Sequence, residues 1–199
     1  MSRLTKLPQQ FYLRPTLKIA RDLLGRYFVR RLGEETLIGR IVEVEAYLGE
    51  KDPASHAYRG RTKRNEVMFR LGGHLYVYFT YGMHFCANVV TEREGLGRAV
   101  LLRAIEPIQG VETMSRLRER KGTKIRSRML TNGPAKLCEA LDLKRNENGT
   151  DLSGDQIFLT QGEPVHRKDI GVSTRIGINA GKEHRWRFFL RGNRYLSRR

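Results

Sequence analysis

Acidic residues are scarce in this chain: 21 Asp and Glu stand against 38 Lys and Arg, a formal net charge of +17 with a pI near 10.5. So little negative charge makes a polyanion the first partner to consider. Cysteine is scarcer still. Cys86 and Cys138 are the only two, too few for a disulfide framework and without the paired spacing of a zinc site, so a reducing compartment is the simpler reading. No run approaches the ~18 consecutive apolar residues of a membrane-spanning helix. The opening MSRLTKLPQQFYLRP lacks the apolar centre of a secretory signal, so the sequence reads as soluble, intracellular and free of membrane. Internal repeats, low-complexity tracts and long linkers are absent too, which leaves residues 1–199 as one domain.

What is present suffices for one core: 39% of the 199 residues are hydrophobic, which argues against global disorder. The segment Thr16-Leu-Lys-Ile-Ala-Arg-Asp-Leu-Leu-Gly25 reads as a short helix with Thr16 as its cap and Gly25 at its end. Residues 26–32 and 37–47 flank Gly-Glu-Glu-Thr and predict a hairpin whose second strand passes through the middle of the protein. Polar residues 49–74 read as a long loop with short helical pieces. Residues 75–79 and 84–90, joined by Thr-Tyr-Gly-Met, predict another hairpin with Gly82 in its turn.

Residues 98–105 are apolar enough for a buried strand, and helical periodicity follows from Gly110. The run 116–128, with seven Lys or Arg against one Glu, reads as a solvated face. Asn132 caps a second predicted helix through Leu141, with Pro134 in its first turn, and short strands are expected near 157–160 and 187–191. The sum is an α+β fold, one mixed domain around a curved, mainly antiparallel sheet.

On a strand through 41–47, Glu43, Glu45 and Tyr47 project to one side and Val42, Val44 and Ala46 to the other. The two carboxylates then lie about 6–7 Å apart at the backbone, where one can act as base on a water that the other orients. The same pattern also fits a solvent-facing strand edge with Arg and Lys partners. Asp52 and His56 can be added to Glu43 and Glu45 as a carboxylate and histidine metal site, although the spacing matches no established metal motif. Tyr81, beside Gly82, is exposed by default. On a basic protein it can wedge into a duplex, or it can fold back over its hairpin.

Five blocks then spell a likeness: Gly39-Arg-Ile-Val-Glu-Val-Glu-Ala-Tyr-Leu-Gly49, Leu75-Tyr-Val-Tyr-Phe-Thr-Tyr-Gly-Met83 with Asn88, Leu101-Leu-Arg-Ala-Ile-Glu-Pro107, Asn132-Gly-Pro-Ala-Lys-Leu-Cys138 and Arg175-Ile-Gly-Ile178. In this order, over nearly the whole chain, the sequence resembles the alkyladenine (3-methyladenine) DNA glycosylase family. The resemblance implies a monomeric, metal-independent enzyme without cofactor. It would flip damaged purines out of double-stranded DNA through an inserted β-hairpin and hydrolyse the N-glycosidic bond, with no lyase step.

By the same resemblance Glu45 is the general base, with Arg103 and the Ile176 carbonyl holding the attacking water and Glu43 in support. Tyr47 and Tyr78 wall the base pocket, and His56 adds stacking and a main-chain hydrogen bond. Asn88 excludes guanine by crowding its 2-amino group, and Tyr81 fills the gap left in the stack. Arg59, Arg61, Lys63 and Arg64, together with the 116–128 run, are candidates for phosphate contacts. Lys63 stands where the resembled family often carries proline, and its loop is slightly shorter. The rival reading is a non-catalytic protein on the same scaffold that binds distorted DNA.

Overall fold

The long strand predicted through the middle of the protein forms, and it runs from Glu35 to Leu48, beyond both ends of the expected 37–47. The computed structural model describes residues 4–119 and 125–198. Strand β1 (Tyr27–Leu32) turns through Gly33 into β2 (Glu35–Leu48), with Leu32 opposite Glu35. Strands β3 (Leu75–Thr80) and β4 (His84–Thr91) form the second hairpin, and β5 (Arg98–Gln109) runs between β4 and β2. Strand β6 (Ile157–Thr160) lies outside β1. Strands β7 (Ile170–Ser173) and β8 (Arg187–Leu190) pair with each other, and β8 docks on β2 at Glu43–Glu45. The order β3-β4-β5-β2-β1-β6, with the β7–β8 pair attached, makes an eight-stranded antiparallel sheet, and the fold is α+β as expected.

Because β1 covers the first half of β2 and β8 the second, while β5 pairs along nearly all of it, the segment around Glu43 and Glu45 has a strand on either side. The solvent-facing edge considered for these residues is therefore corrected: both carboxylates are completely buried. Val42, Val44 and Ala46 point the other way into the main core. The β2–β5 register is irregular here, skipping Val42 on β2 and Arg103 on β5. A local irregularity of this kind re-aims a side chain that regular pairing would fix. Arg103 is turned toward both carboxylates.

Two short helices differ from the sequence reading at their starts. In α2 (Thr16–Asp22) the N-cap is Pro15, and Thr16 is the first helical residue. Its amide and hydroxyl both donate to Glu92, from the end of the second hairpin, so a distant carboxylate does the capping expected of Thr16. In α4 (Pro134–Ala140) the N-cap is Gly133, and Asn132 instead accepts a hydrogen bond from Lys136 at 2.8 Å. Helix α2 packs on β2 and β5, and α4 on β4 and β5. The single turn α1 (Gln9–Tyr12) and α3 (Val111–Arg118) complete the helices, and α3 lies against α4. Within the 116–128 run, Arg116 pairs with Glu35, and Arg118 binds Glu139 and the carbonyls of Met129 and Leu130. Its residues 120–124 lie outside the described residues.

The long loop after β2 contains only short 3₁₀ turns, as expected, but buried polar side chains order it. Asn65, 2% exposed, donates to the carbonyls of His56 and Gly60 and accepts from the Thr62 amide. Asp52 accepts from the amides of Leu48 and Ala54 and binds Arg175 through both carboxylate oxygens, at 2.5 and 2.8 Å. Arg175 also donates to the carbonyls of Ala46 and Gly181. This pair is fully buried and ties the loop to the segment that precedes β8. Removing one partner strands a charge away from water, so Asp52→Asn is expected to lower the unfolding free energy by about 3–5 kcal/mol. Denaturant unfolding measures this, and an unchanged midpoint would contradict the clamp.

Candidate active site

The two hairpins and the Arg175 segment enclose an open cleft of about 500 Å³, within the range of sites that hold a small aromatic ligand. Tyr47, His56, Tyr76, Tyr78, Asn88 and Arg103 line it, with Ile176 opposite. Tyr76 and Tyr78 share a face of β3, as period-2 alternation requires, and their rings stack at 5.4 Å. His56 meets Tyr78 edge-on at 4.4 Å, and its Nδ1 lies 3.2 Å from the Tyr76 hydroxyl. Burial, with a smaller contribution from Arg64, pushes the His56 imidazole below its ordinary value. Tyr76 itself was not singled out for the pocket in the sequence, although its place two residues before Tyr78 was the available signal.

Glu45 lies beneath this cleft, covered by Tyr47, Arg103 and Ile176. Its Oε1 accepts the Ile176 amide at 2.8 Å and sits 3.3 Å from Arg103 Nη1, while Oε2 accepts the Tyr47 hydroxyl at 2.9 Å. Burial raises its pKa, and Arg103, the Ile176 amide and the Tyr47 hydroxyl oppose that rise only in part. A carboxylate so placed is a stronger base than an exposed one, and the two hydrogen-bond donors and the Arg103 charge favour its ionised form. Ile176 faces Glu45 with its amide, whereas its carbonyl was the group expected to act.

Glu43 holds the other side of Arg103. It accepts from Arg103 Nε at 3.1 Å, from Arg187 Nε at 2.8 Å, and from the amide and hydroxyl of Ser197, both at 2.6 Å. Two buried carboxylates and two nearly buried guanidiniums thus balance in charge. Arg187 and Ser197 were not foreseen, since nothing near them in sequence marks a partner on β2. The metal grouping of Glu43, Glu45, Asp52 and His56 does not assemble. Asp52 is committed to Arg175, and among the described residues no three His, Cys, Asp or Glu side chains converge to hold a metal ion.

Asn88, 5% exposed on β4, faces Tyr76 across the strand pair and donates to its carbonyl at 3.1 Å. Its amide is therefore fixed at the cleft wall. Tyr81 is 82% exposed, so it does not fold back over its hairpin. It has φ 51° beside Gly82 at φ 68°, and Met83 N–H returns to the Thr80 carbonyl. Two consecutive positive φ values close the tight turn that suits a right-twisted hairpin, and Tyr81 holds a conformation that most side chains avoid. All four basic loop residues, Arg59, Arg61, Lys63 and Arg64, are exposed. Arg61 pairs with Glu66 at 3.1 Å, and Arg64 donates to the Phe79 carbonyl, joining the loop to the hairpin.

The sequence as a whole matches a known family. The model of the methylpurine-DNA glycosylase family matches residues 10–194. A protein of Carboxydothermus hydrogenoformans named "Putative 3-methyladenine DNA glycosylase" is 54% identical over 194 residues, covering 97% of this chain and 99% of its own length. Proteins of the same name from Chlorobium phaeovibrioides and Clostridium acetobutylicum are 49% and 43% identical, each over 96% of this chain and 96% and 97% of their own. Matched along almost all its length, the chain belongs to the methylpurine-DNA glycosylase family and is by that membership a DNA glycosylase.

Proposed function

We propose that this protein is a monofunctional glycosylase of base excision repair, a single domain acting as a monomer inside the cell, in the cytoplasm and at the nucleoid. It extrudes damaged purines (3-methyladenine, 7-methylguanine, hypoxanthine and ethenoadenine) from duplex DNA and leaves an abasic site. The observation that carries this reading is one buried carboxylate, Glu45, held by Arg103, Tyr47 and Ile176, which themselves line an aromatic cleft roomy enough to admit a purine.

A base inside a duplex shields its sugar carbon, and flipping costs a few kcal/mol, least for a lesion that pairs poorly. Tyr47 and Tyr78 then wall the extruded purine, with His56 beside them. Stacking recovers roughly 1–3 kcal/mol per base and tolerates variation in its edge, which suits several substrates. The exposed, conformationally constrained Tyr81 fills the vacated place in the stack. Arg59, Arg61, Lys63 and Arg64 meet phosphates around the cleft, and the +17 net charge supports salt-sensitive binding without sequence preference.

In the chemical step a water attacks the anomeric carbon. Its proton passes to Glu45, whose two oxygens have lone pairs beyond the two hydrogen bonds they accept from Tyr47 and Ile176. The N-glycosidic electron pair departs with the base. Arg103 keeps the carboxylate oriented, and no metal takes part. N-alkylated purines carry positive charge and leave as neutral bases, whereas hypoxanthine and ethenoadenine leave more readily when protonated.

Single-turnover base release from a hypoxanthine or ethenoadenine duplex in EDTA tests the reading. Wild type is expected to release the base, and Glu45→Gln to lose about 10²–10⁴-fold in rate while still binding DNA. Binding by wild type without release from these or 3-methyladenine DNA would instead mean a recognition protein on this scaffold. Activity abolished by EDTA and restored by a divalent ion would sink the metal-free step. Asn88→Ser removes the amide that crowds the guanine 2-amino position, so the ratio of guanine to hypoxanthine release is expected to rise by about tenfold or more. An unchanged ratio would take the gate away from Asn88.

A further inference from the structure

Ser197 lies beyond residue 194, where the match to the family ends, yet it touches the centre of the site. Its neighbours Tyr195 and Leu196 are buried in the core, and the Tyr195 amide is held by the Asn193 side chain. Arg187 Nη2 donates to the Arg198 carbonyl at 2.7 Å. The segment is thus anchored on either side of Ser197.

The hydroxyl of Ser197 works in two directions. It donates to Glu43 Oε1 at 2.6 Å and accepts from Arg103, at 3.2 Å from Nη2 and 3.4 Å from Nε. A guanidinium is planar, so fixing its Nε and Nη2 also fixes where Nη1 points. Here Nη1 lies 3.3 Å from Glu45 Oε1, forming an ion pair with it.

We propose that Ser197 is a positioning residue for base release, sharing Arg103 between Glu43 and Glu45 so that its Nη1 faces the general base. Without the hydroxyl, Glu43 loses a donor in a buried site and Arg103 loses an acceptor. The guanidinium then closes on Glu43 and loosens its hold on Glu45. The other groups that face Glu45 stay in place: the Tyr47 hydroxyl and Glu43 on β2, Cys86 on β4, and the Ile176 amide. Arg187 on β8 remains with Glu43. Weaker pairing with a cation leaves the buried carboxylate harder to ionise, so the general base is recruited only at higher pH.

This inference rests on Glu45 being the base, and the experiment separates the two. Single-turnover release of 7-methylguanine, a leaving group that needs no acid, is followed against pH for wild type, Ser197→Ala, Ser197→Thr and Glu45→Gln. Ser197→Ala is expected to move the midpoint of the rise up by roughly half a unit to one unit, a three- to tenfold loss below the midpoint that recovers toward the wild-type rate above it. Ser197→Thr keeps a hydroxyl and is expected to restore the midpoint. An equal loss at every pH, an unmoved midpoint or a downward shift, with Glu45→Gln inactive, would overturn the role of Ser197 alone. Release by Glu45→Gln at the wild-type rate would overturn both.

Discussion

One guanidinium between two buried carboxylates is the constraint on which the rest of the site depends. Arg103 holds Glu43 through Nε and Glu45 through Nη1, and neither carboxylate is exposed at the protein surface. A buried charge without a partner is costly, and a buried pair survives only when its remaining lone pairs and protons are also satisfied. Arg187 and Ser197 meet that condition on the Glu43 side, and Ile176 and Tyr47 on the Glu45 side. The asymmetry has a chemical meaning. Glu43 is saturated by groups that anchor the β8 end of the chain, whereas Glu45 is the carboxylate beneath the cleft.

The sheet exists in the form that this arrangement needs. A strand pair in perfect register would fix the direction of Arg103 by the pleat, but the β2–β5 pairing slips at Val42 and at Arg103 itself. Antiparallel sheets commonly leave one face to solvent. Here β8 pairs along the edge of β2 at Glu43–Glu45, and the side chain of Arg187 and the residue Ser197 cover the polar face, so β2 is buried on both sides where its carboxylates lie. Asp52 and Arg175 repeat the device at the cleft wall: the Arg175 guanidinium lies over the Tyr47 ring at 4.7 Å and over Trp186 at 5.0 Å. Tyr47 is held by its ring on one side and by its hydroxyl on Glu45.

Local chemistry was legible in the sequence. Period-2 alternation placed Glu43, Glu45 and Tyr47 together and opposite Val42, Val44 and Ala46, and Gly82 marked the turn that exposes Tyr81. Contacts between distant residues were not legible. The alternation cannot say what covers the polar side of β2, because the cover comes from Arg187 and Ser197, and so an exposed edge looked as reasonable as a site. Thr16 reads as a cap until Glu92, far along the chain, takes that role. Asp52 reads as a metal ligand because Arg175 is 123 residues away. Strand β7 is four residues with a central Gly171, too short for periodicity to register, and it exists by pairing with β8.

The account stands on Glu45 being a buried carboxylate that Arg103 keeps ionisable. Titrating its carboxyl carbon by NMR in the free protein, in wild type and Arg103→Gln, tests this without reference to substrate. The predicted midpoint lies above the ordinary Glu value of about 4.3 in wild type and higher again in the variant, because burial raises it and Arg103 opposes the rise. A wild-type midpoint at or below that ordinary value, or one that stays put when Arg103 is replaced, would contradict the account.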